Sequence, residues 1–261
     1  MSNSSLATYT LISPNKNSPR NHKIDTISIH CFVGQVTAKR GCEVFQPSSK
    51  QASCNYVVGY DGSIGLCVEE KDRSWCTSSS SNDHRAITIE TASENKAPYK
   101  VTAAAYAALL DLVTDICRRN GAKKLLWFGD KAKTLAYAPK SGEMVMTVHR
   151  WFANKSCPGD YLYNLHGEIA AEVTKRLGGS SSTTSPSTGT GASGSAQTAV
   201  NYTVKVTATD LNIRSGPGIN YGSKGAINPG VYTIVAEAGG TGASKWGKLK
   251  SGAGWISLDY A

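Results

Sequence analysis

Four residues stand where metal chemistry would need them. His30 closes the strand-like run IDTISIH, Glu90 closes AITIE, and His149 and Cys157 lie eight residues apart in VHRWFANKSCPGD. Two imidazoles and one thiolate suit zinc, and three protein ligands leave a fourth position open, which is the arrangement of a catalytic metal and not of a scaffolding one. Side chains alternate across a strand, so His30 and Cys31 cannot both face one metal without a break, and His30 is the expected ligand. The same alternation puts Thr88 and Glu90 on one face of their strand and Ile87 and Ile89 on the other, with the carboxylate toward a cleft and the isoleucines toward the core. Of the remaining histidines, His22 and His166 fit surface roles and His84 the mouth of the cleft. Trp75, Trp127 and Trp151 fit the core or a cleft wall, where an aromatic ring can stack on sugar or peptide.

These residues need elements to carry them. Strand formers concentrate in Ile24 to His30, Tyr56 to Val58, Ile64 to Val68 and Ala86 to Thr91, with Asp61-Gly62 as a hairpin signal between the second and third. Thr102 is placed to cap a helix through AAAYAALLDLVTDICRRN, with Gly121 just past its end. A second helix is expected from near Asp160, where Leu162, Leu165, Ile169, Val173 and Leu177 recur at three- and four-residue steps and Lys175 and Arg176 suit its end. Residues 1–178 therefore read as an α/β domain. Residues 179–199, GSSSTTSPSTGTGASGSAQTA, contain no charge and no large apolar side chain, and so predict a flexible linker with a span of roughly 25 Å. Residues 200–261 hold short strand-like runs (YTVKV, LNIRS, VYTIVAE, KWGKLK, GWISL) between Gly-, Pro- and Asn-rich turns, the pattern of a small all-β barrel.

A chain of 261 residues has room for one enzyme-sized domain and a small module. Its 40% hydrophobic and 18% charged residues exclude fibrous and wholly disordered classes. The excess of 28 basic over 19 acidic side chains favours polyanions. With 22 basic and 16 acidic residues in 1–178, and 6 and 3 in 201–261, neither part has the dense basic block of a nucleic-acid tail, and no nucleic-acid partner is expected. No apolar run is long enough for a transmembrane segment, and the start lacks a basic region followed by an apolar core; synthesis in the cytoplasm without a signal peptide is expected. Seven cysteines, all before residue 158, read mostly as small buried hydrophobes.

The series ISIHC, NYVVGYDG, AITIE and TVHRWFANKSCPGDYL, over roughly residues 20 to 177, resembles the type-2 N-acetylmuramoyl-L-alanine amidases, a zinc family that includes phage amidases and peptidoglycan recognition proteins. Its most specific part is the His, seven residues and Cys-Pro, with a Lys two before the Cys. The resemblance implies a mixed central sheet with flanking helices and places zinc on His30, His149 and Cys157. It also implies Glu90 as the catalytic acid/base and Lys155 as a stabiliser of an oxyanion. The chain departs from the branch that uses a catalytic Tyr, having Cys54 there, and matches at Glu90 the branch that uses a strand-ending Glu.

The final domain, through LNIRSGPGINY and KWGKLKSGAGWISLDY, resembles the bacterial SH3-type modules of cell-wall hydrolases. That implies wall binding, with Tyr221, Trp246, Trp255 and Tyr260 as candidate contacts. Together the two resemblances imply a phage or prophage endolysin acting on Gram-positive-type walls. It would bind peptidoglycan and anionic wall polymers and cross the membrane through a lesion made by a holin-type partner. Two other classes stay open: a non-catalytic peptidoglycan-binding protein, and a cysteine peptidase of the wall.

Overall fold

The structure is a computed structural model describing residues 2–178, 197–209, 211–219, 221–240 and 242–261. The chain divides into two compact units. Most of the expected linker, residues 179–196, lies outside the described residues.

In the first unit the elements are β1 (Tyr9–Thr10), β2 (Lys16–Asn17), β3 (Thr26–Cys31), α1 (Ala38–Val44), β4 (Tyr56–Val58), β5 (Ile64–Leu66), β6 (Arg73–Ser74) and α2 (Ser80–Arg85). They continue with β7 (Ala86–Thr91), α3 (Ala103–Arg119), β8 (Lys124–Leu126), α4 (Lys131–Ala136), β9 (Glu143–Thr147) and α5 (Gly159–Arg176). Seven strands form one mixed sheet in the order β1-β5-β4-β7-β3-β9-β8. The single antiparallel pair is β4 with β5, joined through the expected turn, where Gly62 sits at φ +82° and Gly59 N–H donates to Ser63 O. Only a residue without a Cβ takes that φ without strain.

Alternation sorts β3 and β7 as expected. Ile27, Ile29, Ile87 and Ile89 are fully buried in the main core with Leu109, Leu112, Ile116, Leu162, Ile169 and Val173 from α3 and α5. The opposite face is polar, and there Thr88 Oγ1 meets Ser74 Oγ at 2.7 Å while the Asn55 side chain accepts from Thr88 N–H. Helix α3 begins as its sequence predicts: Thr102 accepts from Ala105 N–H, and Gly121 follows the end at φ +73°.

Arg20 fastens the loops beneath the polar face. Its buried guanidinium donates to the carbonyls of Glu70, Asp72, His84 and Ala86, tying the chain before β3 to the segment leading into β6, the end of α2 and the start of β7. One cation thus serves four backbone carbonyls, as the five donors of a guanidinium allow.

In the second unit, β10 (Thr198–Val206), β11 (Leu211–Arg214), β12 (Ser223–Ile227), β13 (Gly230–Gly240), β14 (Ala243–Leu249) and β15 (Trp255–Ser257) form one six-stranded sheet ordered β10-β13-β14-β15-β11-β12. All its pairs are antiparallel. The expected linker end is corrected here, because Thr198 and Ala199 already pair with Glu237 and Ala236. The contact set is also corrected. Trp246 and Trp255 are 2% and 4% exposed and pack with Ala236 and Ala238 inside the unit, whereas Tyr221 and Tyr260 are exposed. The motif RSGPGINY is a seat for Tyr221: Arg214 donates to the carbonyls of Ile219 and Tyr221, and any Cβ at Gly216 would strike the Tyr221 ring. No helix among the described residues is long and apolar enough to cross a membrane.

Candidate metal centre

Register brings the expected residues together. In the parallel pair β3 and β7, His30 lies opposite Glu90. In the parallel pair β3 and β9, Ser28 lies opposite Thr147, the last residue of β9, and His149 opens the 3-10 turn two residues further on, its ring centroid 5.2 Å from that of His30. Two adjacent parallel strands thus deliver Glu90 and His30 near their carboxyl ends, and the turn after the neighbouring β9 delivers His149, at the edge where open α/β sheets place their sites. Cys157 arrives from the loop before α5, held by a backbone bond from Arg150 N–H to Cys157 O at 3.1 Å.

The candidate ligand atoms of His30, His149 and Cys157 lie within 4.8 Å of one another. Cys157 Sγ is 3.3 Å from His30 Nδ1, and Glu90 Oε1 is 3.9 Å from the same nitrogen. Ser28 explains which nitrogen faces the cluster. Its hydroxyl donates to Thr147 O at 3.3 Å, so its oxygen is left to accept from His30 Nε2 at 3.2 Å. That network fixes the proton on Nε2 and leaves the Nδ1 lone pair pointing at the cluster, as a metal-ligating imidazole requires. Burial, then the neighbouring His149 and His166, hold His30 well below the usual histidine range, so it is neutral and able to ligate. Burial and the charge of Lys155 likewise lower His149. The Cys157 thiol is pushed well above its ordinary range, first by its hydrogen bond with Cys31 and then by burial.

Two neutral imidazoles and a thiol converging at these distances fit a zinc-type cation, whose bond lengths of about 2.0–2.1 Å to nitrogen and about 2.3 Å to sulfur set tetrahedral donors roughly 3.3–3.6 Å apart. Glu90 adds to the fit. Its Oε2 is buried without a hydrogen-bond partner, and its carboxyl is pushed well above the usual range by burial first and then by Cys31. A cation in the cluster would compensate for that isolated buried group.

Several residues that sequence reasoning passed over build this geometry. Arg150 donates to Ser156 O and to Asp160 and lies over the Tyr163 ring, clamping the loop that carries Cys157. Asp83 accepts from the N–H groups of Cys76 and Thr77, shaping the turn that brings Ser78 Oγ to 3.1 Å from His149 Nε2. Lys155 stands exposed on the loop between His149 and Cys157. Cys54, at the position of the other branch's Tyr, is fully buried among Cys42, Val57 and Cys67.

Of three further residues, one departs from expectation. Cys31, the last residue of β3, is buried in the main core as the alternation requires, its thiol hydrogen-bonded to that of Cys157, and beyond it Val33 turns the chain at φ +58°. It still contributes no atom to the ligand set. His166 is not at the surface: it is fully buried, with Nδ1 2.6 Å from Leu162 O, because it shares the buried stripe of α5 with Leu162, Ile169 and Val173. His84 accepts from Asn21 N–H at the end of α2 and joins no ligand cluster among the described residues. Trp127 and Trp151 stack in parallel, 5.1 Å apart, and Trp127 lies 4.6 Å from the His166 ring.

Among solved structures, the first unit's likeness extends to PlyL at 13% identity, covering 63% of this chain and 95% of that one with a TM-score of 0.47. It extends also to the endolysin N-acetylmuramoyl-L-alanine amidase LysCS from Clostridium intestinale, at 14% identity, 68% and 100% coverage and a TM-score of 0.44. A third is an AmpD derivative, at 15% identity, 67% and 95% coverage and a TM-score of 0.46. The comparison with curated proteins finds no match. The family model described as N-acetylmuramoyl-L-alanine amidase, Amidase_2, matches residues 20–160, more than half of the chain and the whole span from Arg20 through Cys157, and the chain belongs to that family.

Proposed function

We propose that the chain is a zinc-dependent amidase that hydrolyses the bond between the lactyl carbonyl of N-acetylmuramic acid and the amine of the stem peptide's L-alanine. The observation that carries this reading is the convergence of His30, His149 and Cys157 with a half-buried Glu90 whose Oε2 has no hydrogen-bond partner, in an Amidase_2 chain. His30, His149 and Cys157 would hold the ion, which when bound supplies Lewis acidity to the scissile carbonyl and acidifies water toward a pKa of about 7. Glu90 takes the proton of the attacking water on its carboxylate and returns it to the alanine nitrogen as the C–N bond breaks. The products are a lactyl carboxylate and a free α-amine. Lys155 shares the negative charge that develops on the carbonyl oxygen. Ser28 holds His30 in its ligating tautomer, and Arg150 holds the loop of Cys157.

Mass spectrometry of material released from purified walls tests the activity. Stem peptides with a new N-terminal alanine and glycans with intact muramic lactyl groups are expected. Cleavage within the peptide, or no release, would overturn the assignment.

The second unit we read as an SH3-type wall-binding module, joined by the Gly/Ser/Thr-rich stretch 179–197. Tyr221 and Tyr260 are its candidate contacts. In a lysin, such a tether raises the catalytic unit's concentration at the wall, provided both units can engage at once. Residues 1–178 alone should therefore hydrolyse a soluble muropeptide at close to the full-length rate while clearing cells several-fold more slowly. The assay belongs at both low and raised salt, where nonspecific attraction of the basic chain is screened. Equal clearing by the two forms at both salt levels would remove the targeting role. Release through a holin-type lesion completes this reading of the chain as an endolysin, and its support is the sequence resemblance.

A further inference from the structure

A second donor set overlaps the first. His30, Cys76 and Glu90 also bring their ligand atoms within 4.8 Å of one another, with Glu90 Oε1 3.9 Å from both His30 Nδ1 and Cys76 Sγ. Those separations exceed the donor spacing of a tetrahedral zinc site by only a few tenths of an ångström. The set is chemically complete as a borderline-soft site, with one imidazole, one thiol and one carboxylate, and Glu90 Oε2 is left buried with no partner of its own. Cys76 is held in place through its backbone, its N–H donating to Asp83 at 3.1 Å, and its thiol already faces the cluster, donating to Glu90 Oε1 at 3.9 Å.

Both sets depend on the same atom. His30 Nε2 is committed to Ser28, so only Nδ1 is open, and one nitrogen lone pair serves one ion. We propose that His30, Cys76 and Glu90 form a second metal site, exclusive of the first, in which the bound ion takes Glu90 as a ligand and so withdraws it from proton transfer. The inference rests on the metal reading of His30 given above. The first set, richer in imidazole, holds the ion in the intact protein. The second takes it when Cys157 is capped by an alkylating electrophile, its sulfur displacing the reagent's leaving group, and the Cys76 thiol proton passes to solvent as the thiolate coordinates. An ion is then retained by a chain that no longer catalyses, so metal content and activity separate.

Cobalt(II) provides the test, because a thiolate ligand gives it a near-ultraviolet charge-transfer band. The full-length H149A/C157S variant should bind about one cobalt per chain and keep a thiolate band, and adding C76S should remove the band and weaken binding at least tenfold. C157S alone gives the same readout with the His149 turn intact, should circular dichroism find the double variant unfolded. Absence of the band in H149A/C157S or C157S, when the wild type has it, overturns the proposal and leaves the first set standing. Persistence of the band after C76S overturns it too, assigning the thiolate to Cys31, the neighbour of Cys157. A wild type that takes up no cobalt would instead sink the metal reading of His30, His149 and Cys157.

Discussion

Chelation of the purified protein is expected to lower muropeptide hydrolysis by about a thousandfold or more, and stoichiometric zinc is expected to restore it. The size follows from the several kcal/mol of charge stabilisation that a Lewis acid contributes at a polarised carbonyl, each 1.4 kcal/mol or so being tenfold in rate. The ligand chemistry adds a pH signature with a definite sign. Cys157 must lose its proton to ligate, and its thiol is held well above the usual range by Cys31 and by burial, so metal binding releases a proton and strengthens as pH rises. Acidification should therefore strip the ion and the activity together. His30 and His149 add less to this acid release, since burial holds both low and neutral and protons compete less for their nitrogens. The metal-free chain should also melt at a lower temperature, because an ion that binds only the folded state stabilises it. Full activity in a preparation shown by elemental analysis to lack metal would exclude the assignment.

How much of this could be read from the residues alone depends on the range of the forces concerned. The long helices were readable because their signals are local: Thr102 and Gly121 mark the ends of α3, and the apolar stripe of α5 repeats at helical spacing. The same stripe includes His166, and following it strictly would have buried that residue. Elements of two to seven residues such as α1, β8 and β12 carry too few side chains for a period to show. SKGAI becomes β12 only by pairing with β11, and nothing in its composition announces that partner. At the site, residue types identified His30, His149, Cys157 and Glu90 as candidates, but their convergence comes from the parallel order β7-β3-β9, which is a long-range pairing. Ser28 was recoverable, lying two residues before His30 on the same face of β3. Cys76 and Arg150 were not, because their roles exist only once loops distant in sequence have folded against the sheet.

Glu90→Gln is expected to lower the rate by two or more orders of magnitude while leaving the fold intact and the zinc content near that of the wild type. Glutamine keeps the shape of the side chain and its place opposite His30, but an amide oxygen cannot take and return the proton that hydrolysis moves. Because Oε2 is buried without a partner, the amide nitrogen of the variant enters a site that offers it no acceptor, and a small stability cost of about 1–2 kcal/mol is consistent with that. Loss of zinc in this variant would instead mean that Glu90 serves in the resting ligand set. The parallel change Cys54→Ala separates the two family branches. Cys54 is packed in a small apolar cluster, remote in role from proton transfer, so its loss should cost stability and leave the rate per folded molecule nearly unchanged. A rate near that of the wild type in Glu90→Gln, or a collapse of the rate in Cys54→Ala with zinc retained, would move the acid/base away from the strand that pairs with His30.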